Sequence, residues 1–177
     1  MITVEEAKAH CRIEHGAEDG LITSLIAAAF RHIESRTGQT FGQVSGAEMV
    51  LDALPAGSAG IELQWTPVRA IQGLVYQDPQ GGEQTLSAAD LFLDVRGVYP
   101  KLYPVNEWPE SKAQRASVKV TADIGYTELP ADVRAAALLI IGHFYENREA
   151  VVIGTIATDL PMGVELLLAP YVIHRVG

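Results

Sequence analysis

The stretch RASVKVTADIGYTELPADVRAAALLIIGHFYENRE, Arg115 to Glu149, changes its period halfway along and so decides the fold class. In its first part Val118, Val120, Ala122 and Ile124 alternate with Ser117, Lys119, Thr121 and Asp123. Successive side chains of a strand point to opposite faces, so this segment has one dry and one wet face, as in an antiparallel sheet packed on one side. After Gly125 the alternation stops. Pro130 suits a first helical position, Asp132 falls in the first turn, and the run through Glu149 predicts a helix whose middle is apolar all round. Such a helix is buried on every side, by its own domain or by neighbouring chains.

The N-terminus predicts two more helices. Thr3 and Glu6 have the spacing of a capping box, in which the hydroxyl accepts a backbone N–H and the glutamate reaches back. Val4, Ala7 and Cys11 then share one helix face, with Glu5, Glu6 and Lys8 turned to solvent. His15-Gly16 is a break. A second helix starts near Ala17, with Glu18 and Asp19 where acids favour the positive end of the dipole. Its stripe is Ile22, Leu25, Ile26, Ala29, Phe30 and Ile33, and Gly38 fits the position that ends it.

Between Thr40 and Ile124 helical periodicity is lost. EMVLDAL, GIELQW, VRAIQGLVYQD and EQTLSAADLFLDV read as strands between turn signals such as PAGSAG and DPQGG. VYPKLYPVNEWPES, with three prolines, reads as an irregular excursion. AVVIGTIATDL reads as a loop or extended segment, and PMGVELLLAPY as a short final helix stopped before Pro170. The fold class expected is α+β: a small helical bundle formed by the N- and C-terminal helices, with a central antiparallel β-rich insertion. As one domain over 1–177, it has its helical part in 1–39 and 129–177 and the insertion in 40–128.

Composition narrows the functions. A chain of 177 residues buries a real core without disulfides or metals, and with the single cysteine Cys11 it has no internal disulfide. MITVEEAKAH carries acids where the basic start of a signal peptide would stand, and the longest apolar run, Ala135 to Ile141, is too short to cross a bilayer. A soluble, intracellular protein with no membrane attachment is expected. The net charge of −9 opposes a surface that grips nucleic acid by neutralising phosphates. With 48% hydrophobic and only 20% charged residues, some apolar surface is expected to be covered by partner subunits.

No reaction chemistry assembles from the motifs. His143, Glu146 and Glu149 follow one another at i, i+3, but paired di-metal sites use Glu-x-x-His twice, and here a single His-x-x-Glu occurs. Cys11 and His15 make only two ligands where zinc takes three or four. There is no Gly-x-Ser-x-Gly elbow, no phosphate loop and no dinucleotide fingerprint. Trp65, Trp108, Tyr99 and Tyr103 have the chemistry of stacking platforms but lack basic neighbours, so packing is their ordinary role. Catalytic residues, metal ligands and cofactors are therefore all expected to be none.

Three segments in this order resemble a known family. They are MITVEEAKAHCRIEHGAEDGLITSLIAAAFRHIESRTGQTF, LPADVRAAALLIIGHFYENREAVV and LPMGVELLLAPY. Together they are similar to the head–tail connector (adaptor) family of tailed bacteriophages and prophages, labelled gp6-like or DNA-packaging proteins. WTPVRAIQGLVYQD and NEWP fit its longer subgroup with a β-rich insertion. The resemblance implies a structural protein with no catalytic residues, a homo-oligomer ring below the portal protein that presents a platform to the next neck or tail protein. DNA passes through its channel without sequence-specific binding. The implied location is the virion neck, with the host cytoplasm during assembly.

Ring contacts are heterologous, and a charged helix end gives them register. The expected subunit interface is Tyr145, Glu146, Asn147, Arg148, Glu149, Val151, Val152 and Ile153, with the apolar AVVIGTIATDL segment ordered by an adjacent copy. Three other readings stay open. Another neck or tail-completion protein separates by gene order. A small metal-dependent enzyme centred on His143 separates by elemental analysis, and a host binding module of phage ancestry by genomic context.

Overall fold

A computed structural model gives the fold and describes residues 1–148 and 162–173. The chain is α+β and divides into two compact units, Met1–Phe41 with Glu128–Gly177, and Gly42–Thr127.

The first unit holds α1 (Val4–Cys11), α2 (Asp19–Thr37), α3 (Ala131–Glu146) and α4 (Met162–Leu168), with a 3-10 turn at Ala169–Tyr171. The α2 stripe is buried at Ile22, Ile26, Ala29, Phe30 and Ile33. It meets Val133, Ala136, Ala137, Ile140 and Ile141 of α3, while α4 adds Val164 and Leu168. Each large side chain so buried contributes about 1.5–3 kcal/mol. Among the described residues the cover of α3 is uneven: Leu139, beside fully buried Ile140, is 36% exposed, although the sequence is apolar all round there.

Local chemistry sets the helix ends. Thr3 Oγ1 accepts the Glu6 N–H at 3.1 Å, the hydroxyl half of the expected capping box. The other half is replaced, because both oxygens of Glu6 take Arg134 Nη1 at 2.6 Å. Lys8, expected in solvent, reaches Asp19 at 2.7 Å with its side chain largely covered. Pro130 is the cap residue of α3 instead of its first helical residue. At the end of α2, Gly38 takes φ +74° and donates to Glu34 O at 2.9 Å, a left-handed turn that a Cβ would disfavour. The final segment returns to this point: Ile173 N–H donates to Thr37 O at 2.8 Å, and Gln39 Nε2 to Tyr171 O at 2.7 Å.

The second unit stacks two antiparallel sheets. The first contains β1 (Val44–Leu51), β3 (Val68–Gln77), β4 (Glu83–Ser87) and β7 (Val118–Ile124), in the order β1-β7-β3-β4. The second contains β2 (Ile61–Glu62), β5 (Leu91–Asp94) and β6 (Lys101–Pro104), in the order β2-β6-β5. One apolar cluster joins them, with Met49, Leu74, Val118 and Val120 from the first and Ile61, Leu91 and Leu102 from the second. The alternation that opened the sequence reading lies at the centre of the larger sheet: Val118, Val120, Ala122 and Ile124 are buried, with β1 and β3 on either side.

Two segments differ from their sequence reading. EQTLSAADLFLDV is two strands, because the Asp90 carboxylate accepts from the Ser87 amide at 2.9 Å and its hydroxyl at 2.7 Å, turning the chain between β4 and β5. VYPKLYPVNEWPES contains β6, the middle strand of its sheet. Pro100 lies just before it and Pro104 closes it, so the interior of the strand keeps its donors.

Candidate assembly surface

Among the described residues four ion pairs join the helices of the first unit or the residues at their ends. Lys8 meets Asp19, Glu6 meets Arg134, Arg36 meets Glu165 and Glu18 meets Arg148, all at 2.6–2.7 Å. Exposed pairs add little net stability, but they fix register. Arg36 is bidentate, its Nε within 3.1 Å of both Glu165 oxygens and its Nη2 2.6 Å from Oε2. The guanidinium holds the Glu165 carboxyl below its ordinary range.

The pair at the end of α3 is the most elaborate. Glu18, the residue before α2, accepts the Tyr145 hydroxyl on Oε2 and Arg148 Nη1 on Oε1, each at 2.6 Å. Arg148 also lies 4.2 Å from the centre of the Tyr145 ring, and its Nε donates to Tyr145 O at 3.2 Å. The Arg148 hydrogen bond first, then that of Tyr145, lowers the Glu18 pKa to about 2. The same carboxylate raises the Tyr145 phenol.

Of the residues expected at a subunit interface, Tyr145 and Arg148 are therefore joined to Glu18 of their own chain. Glu146 is exposed on the last turn of α3. Asn147 caps that helix, with its N–H 3.0 Å and its Nδ2 2.8 Å from His143 O. Glu149, Val151, Val152 and Ile153 lie outside the described residues, as does AVVIGTIATDL.

The side chains considered for chemistry lie as follows. Among the described residues no group of three or more His, Cys, Asp or Glu is placed to hold a metal ion, and Glu149 of the His143 trio lies outside them. Burial, then the Glu146 carboxylate, pushes the Cys11 thiol up, which disfavours the reactive thiolate. The Trp108 indole N–H donates to Ala59 O at 2.7 Å from within the core, and the Tyr103 ring covers Gly60 so closely that a Cβ there would clash. Among the described residues no helix is long and apolar enough to cross a membrane.

Sequence reasoning missed the partners of Arg134, Arg148 and Arg36. Each pair is separated by 128 to 130 residues along the chain, and no local pattern marks such pairs. Only the placement of Glu18 at the start of α2 was legible.

Comparison with known proteins adds to this geometry. Residues 1–84, from α1 into β4, match the family model described as phage gp6-like head-tail connector protein. No curated protein matches the chain. Among solved structures, a chain from the neck of an empty GTA particle computed with C6 symmetry matches with a TM-score of 0.75 at 25% identity, covering 99% of this chain and 91% of that one. A chain from the virion of a native gene transfer agent (GTA) particle matches with a TM-score of 0.76 at 26% identity, over the same shares. The fold is also shared with a chain from the neck of a native GTA particle computed with C12 symmetry, with a TM-score of 0.74 at 24% identity over 98% and 89% of the two chains. Residues 1–84 carry the match to the gp6-like head-tail connector family, and the fold is shared over nearly the whole chain with chains of gene transfer agent particles, two of them from particle necks.

Proposed function

We propose that the protein forms a homo-oligomeric ring in the neck of a tailed phage, prophage or related particle, stacked below the portal and joined on its other side to the next neck or tail protein. The observation that carries this reading is the end-to-end likeness to a chain of a particle neck computed with C6 symmetry. Rings need heterologous contacts, in which one face of a subunit meets a different face of the next. The exposed end of α3, with Glu146 and Asn147 held by the Tyr145–Arg148–Glu18 cluster, supports such a contact.

The net charge of −9 suits a channel through which DNA slides, since few cations are available to neutralise phosphates. The protein waits in the host cytoplasm and acts in the virion neck. The matched family and the neighbouring structures are structural proteins, and the role calls for no catalytic group.

The test is an assembly experiment. Particles produced without this protein are expected to accumulate as heads separate from tails, and adding the purified chain should rejoin them. Complete particles forming equally well without it would overturn the reading.

A further inference from the structure

A cleft of about 540 Å³ opens on the surface of the second unit, lined by residues 54–57, Pro79 and residues 108–111. The hydrogen bonds that fix its walls also use up donors. The Leu54 N–H donates to Ser111 Oγ at 2.8 Å, the Trp108 N–H to Gly57 O at 2.8 Å, and the Trp108 indole N–H to Ala59 O at 2.7 Å. Pro55, Pro79 and Pro109 have no N–H to offer. The lining is thus poor in free donors, and its one charge is the exposed carboxylate of Glu110. Lys112, the nearest cation along the chain, is outside the lining, with its Nζ 3.6 Å from where a Cβ of Gly81 would stand. A preformed cleft with acceptors and a carboxylate fits a cationic donor group.

This chain carries such a group in the turn that joins β5 to β6. The Arg96 side chain is 85% exposed, although it pairs with Asp94 at 2.7 Å. Asp94 occupies Nε and Nη2, and a guanidinium has five N–H donors, so the Nη1 edge remains. Lys101 is the register partner of Asp94, and the two bases against one acid leave the turn with a charge of +1. Val95 and Val98, both exposed, flank the arginine.

Strand direction sets these two features apart. β6 leaves the Arg96 turn at Lys101, ends at Pro104 and leads on to Trp108 in the cleft wall, while β2 begins at Ile61, shortly after Gly57 in the same wall. The turn and the cleft therefore lie at opposite ends of the β2-β6-β5 sheet. One copy offers a cation at one end and an acidic cleft at the other, which suits the head-to-tail repeat of a ring.

We propose that Arg96 of one copy docks in the cleft of the next copy of this chain, its free guanidinium edge on the Glu110 carboxylate and Val95 and Val98 against the proline rings. The proposal rests on the ring reading and names a contact within it. One arginine and two valines fall short of the roughly 800 Å² per partner of a stable interface, so a single contact is weak and assembly rises steeply with concentration.

The test uses the full chain with Arg96→Ala, Glu110→Ala and the two combined, followed by sedimentation velocity up to the solubility limit. Both positions are exposed, so circular dichroism and the thermal midpoint should match wild type. Wild type should form concentration-dependent oligomers, and each single variant should associate at least ~10-fold more weakly. The double variant should be no weaker than either single one, because each already removes the same contact. Losses that add in the double variant, or Arg96→Ala assembling like wild type while Glu110→Ala does not, would give the cleft another occupant. Either result, or Glu110→Ala assembling like wild type, overturns this contact and leaves the ring reading standing. A wild-type chain that stays monomeric throughout overturns both.

Discussion

The Tyr145 hydroxyl donates to Glu18 Oε2 at 2.6 Å, so the last turn of α3 is anchored to the start of α2 by one carboxylate. Arg148 occupies the other oxygen of that carboxylate and lies against the Tyr145 ring. The three side chains make a unit in which the acid has both a neutral and a charged donor, and this lowers its pKa to about 2. The charged helix end that looks from sequence like a free contact surface is first an internal brace.

That brace should appear in the acid limb of stability. The Glu18 pKa is about 2 in the folded chain against an ordinary 4.5. A carboxylate with a depressed folded pKa stabilises above its unfolded value, and the contribution is lost as pH falls through the folded one. Glu18→Gln should lower the thermal midpoint above about pH 4.5, and its gap from wild type should close as pH falls toward 2. Thermal melts of both proteins across this range check it; a gap constant with pH would show that the charge of Glu18 is not what matters.

The burial of α3 gives a second contrast. Ile140 is fully buried and Leu139 is 36% exposed, although the sequence makes them equivalent. Ile140→Ala should cost about 2–5 kcal/mol in denaturant unfolding. Leu139→Ala should stay within about 0.5–1 kcal/mol in the isolated chain. Equal losses at both positions would show that the helix is covered on all sides within one copy.

Two glycines predict opposite signs. Gly125, which follows β7, takes φ +87°, and a Cβ there would collide with the Gly42 carbonyl. Gly125→Ala should destabilise by more than about 2 kcal/mol, because strain and overlap add. Gly20, inside α2, has open space where a Cβ would go. Gly20→Ala should stabilise by about 0.5–1 kcal/mol through helix propensity. Chemical denaturation of the two variants decides both.

Where the sequence was readable, the structural determinants were local. The α2 stripe with its terminal Gly38, and the period-2 run of β7, each carry their pattern within one element, and the α+β class follows from them. The Ser87–Asp90 turn was local too, but its two hydrogen bonds were hidden inside a β-forming run. The strand order β1-β7-β3-β4 and the Glu18–Arg148 pair depend on residues far apart in the chain, and neither periodicity nor turn chemistry encodes which distant partner is chosen. For the same reason Glu6, whose spacing suits a capping box, instead meets Arg134.

The last prediction separates two roles for Arg148. Its guanidinium is already engaged by Glu18 Oε1, Tyr145 O and the Tyr145 ring, so under the proposed ring contact its part would be to hold the end of α3 in place for exposed Glu146 and Asn147. Arg148→Glu should set two carboxylates against each other, lower the thermal midpoint and weaken association. Reversing the pair, with Glu18→Arg added to Arg148→Glu, restores an ion pair of opposite direction at the same place. Under the positioning role both the midpoint and the association, followed by light scattering, should return toward wild type. Recovery of the midpoint without recovery of association would instead mean that the guanidinium itself touches the neighbouring subunit.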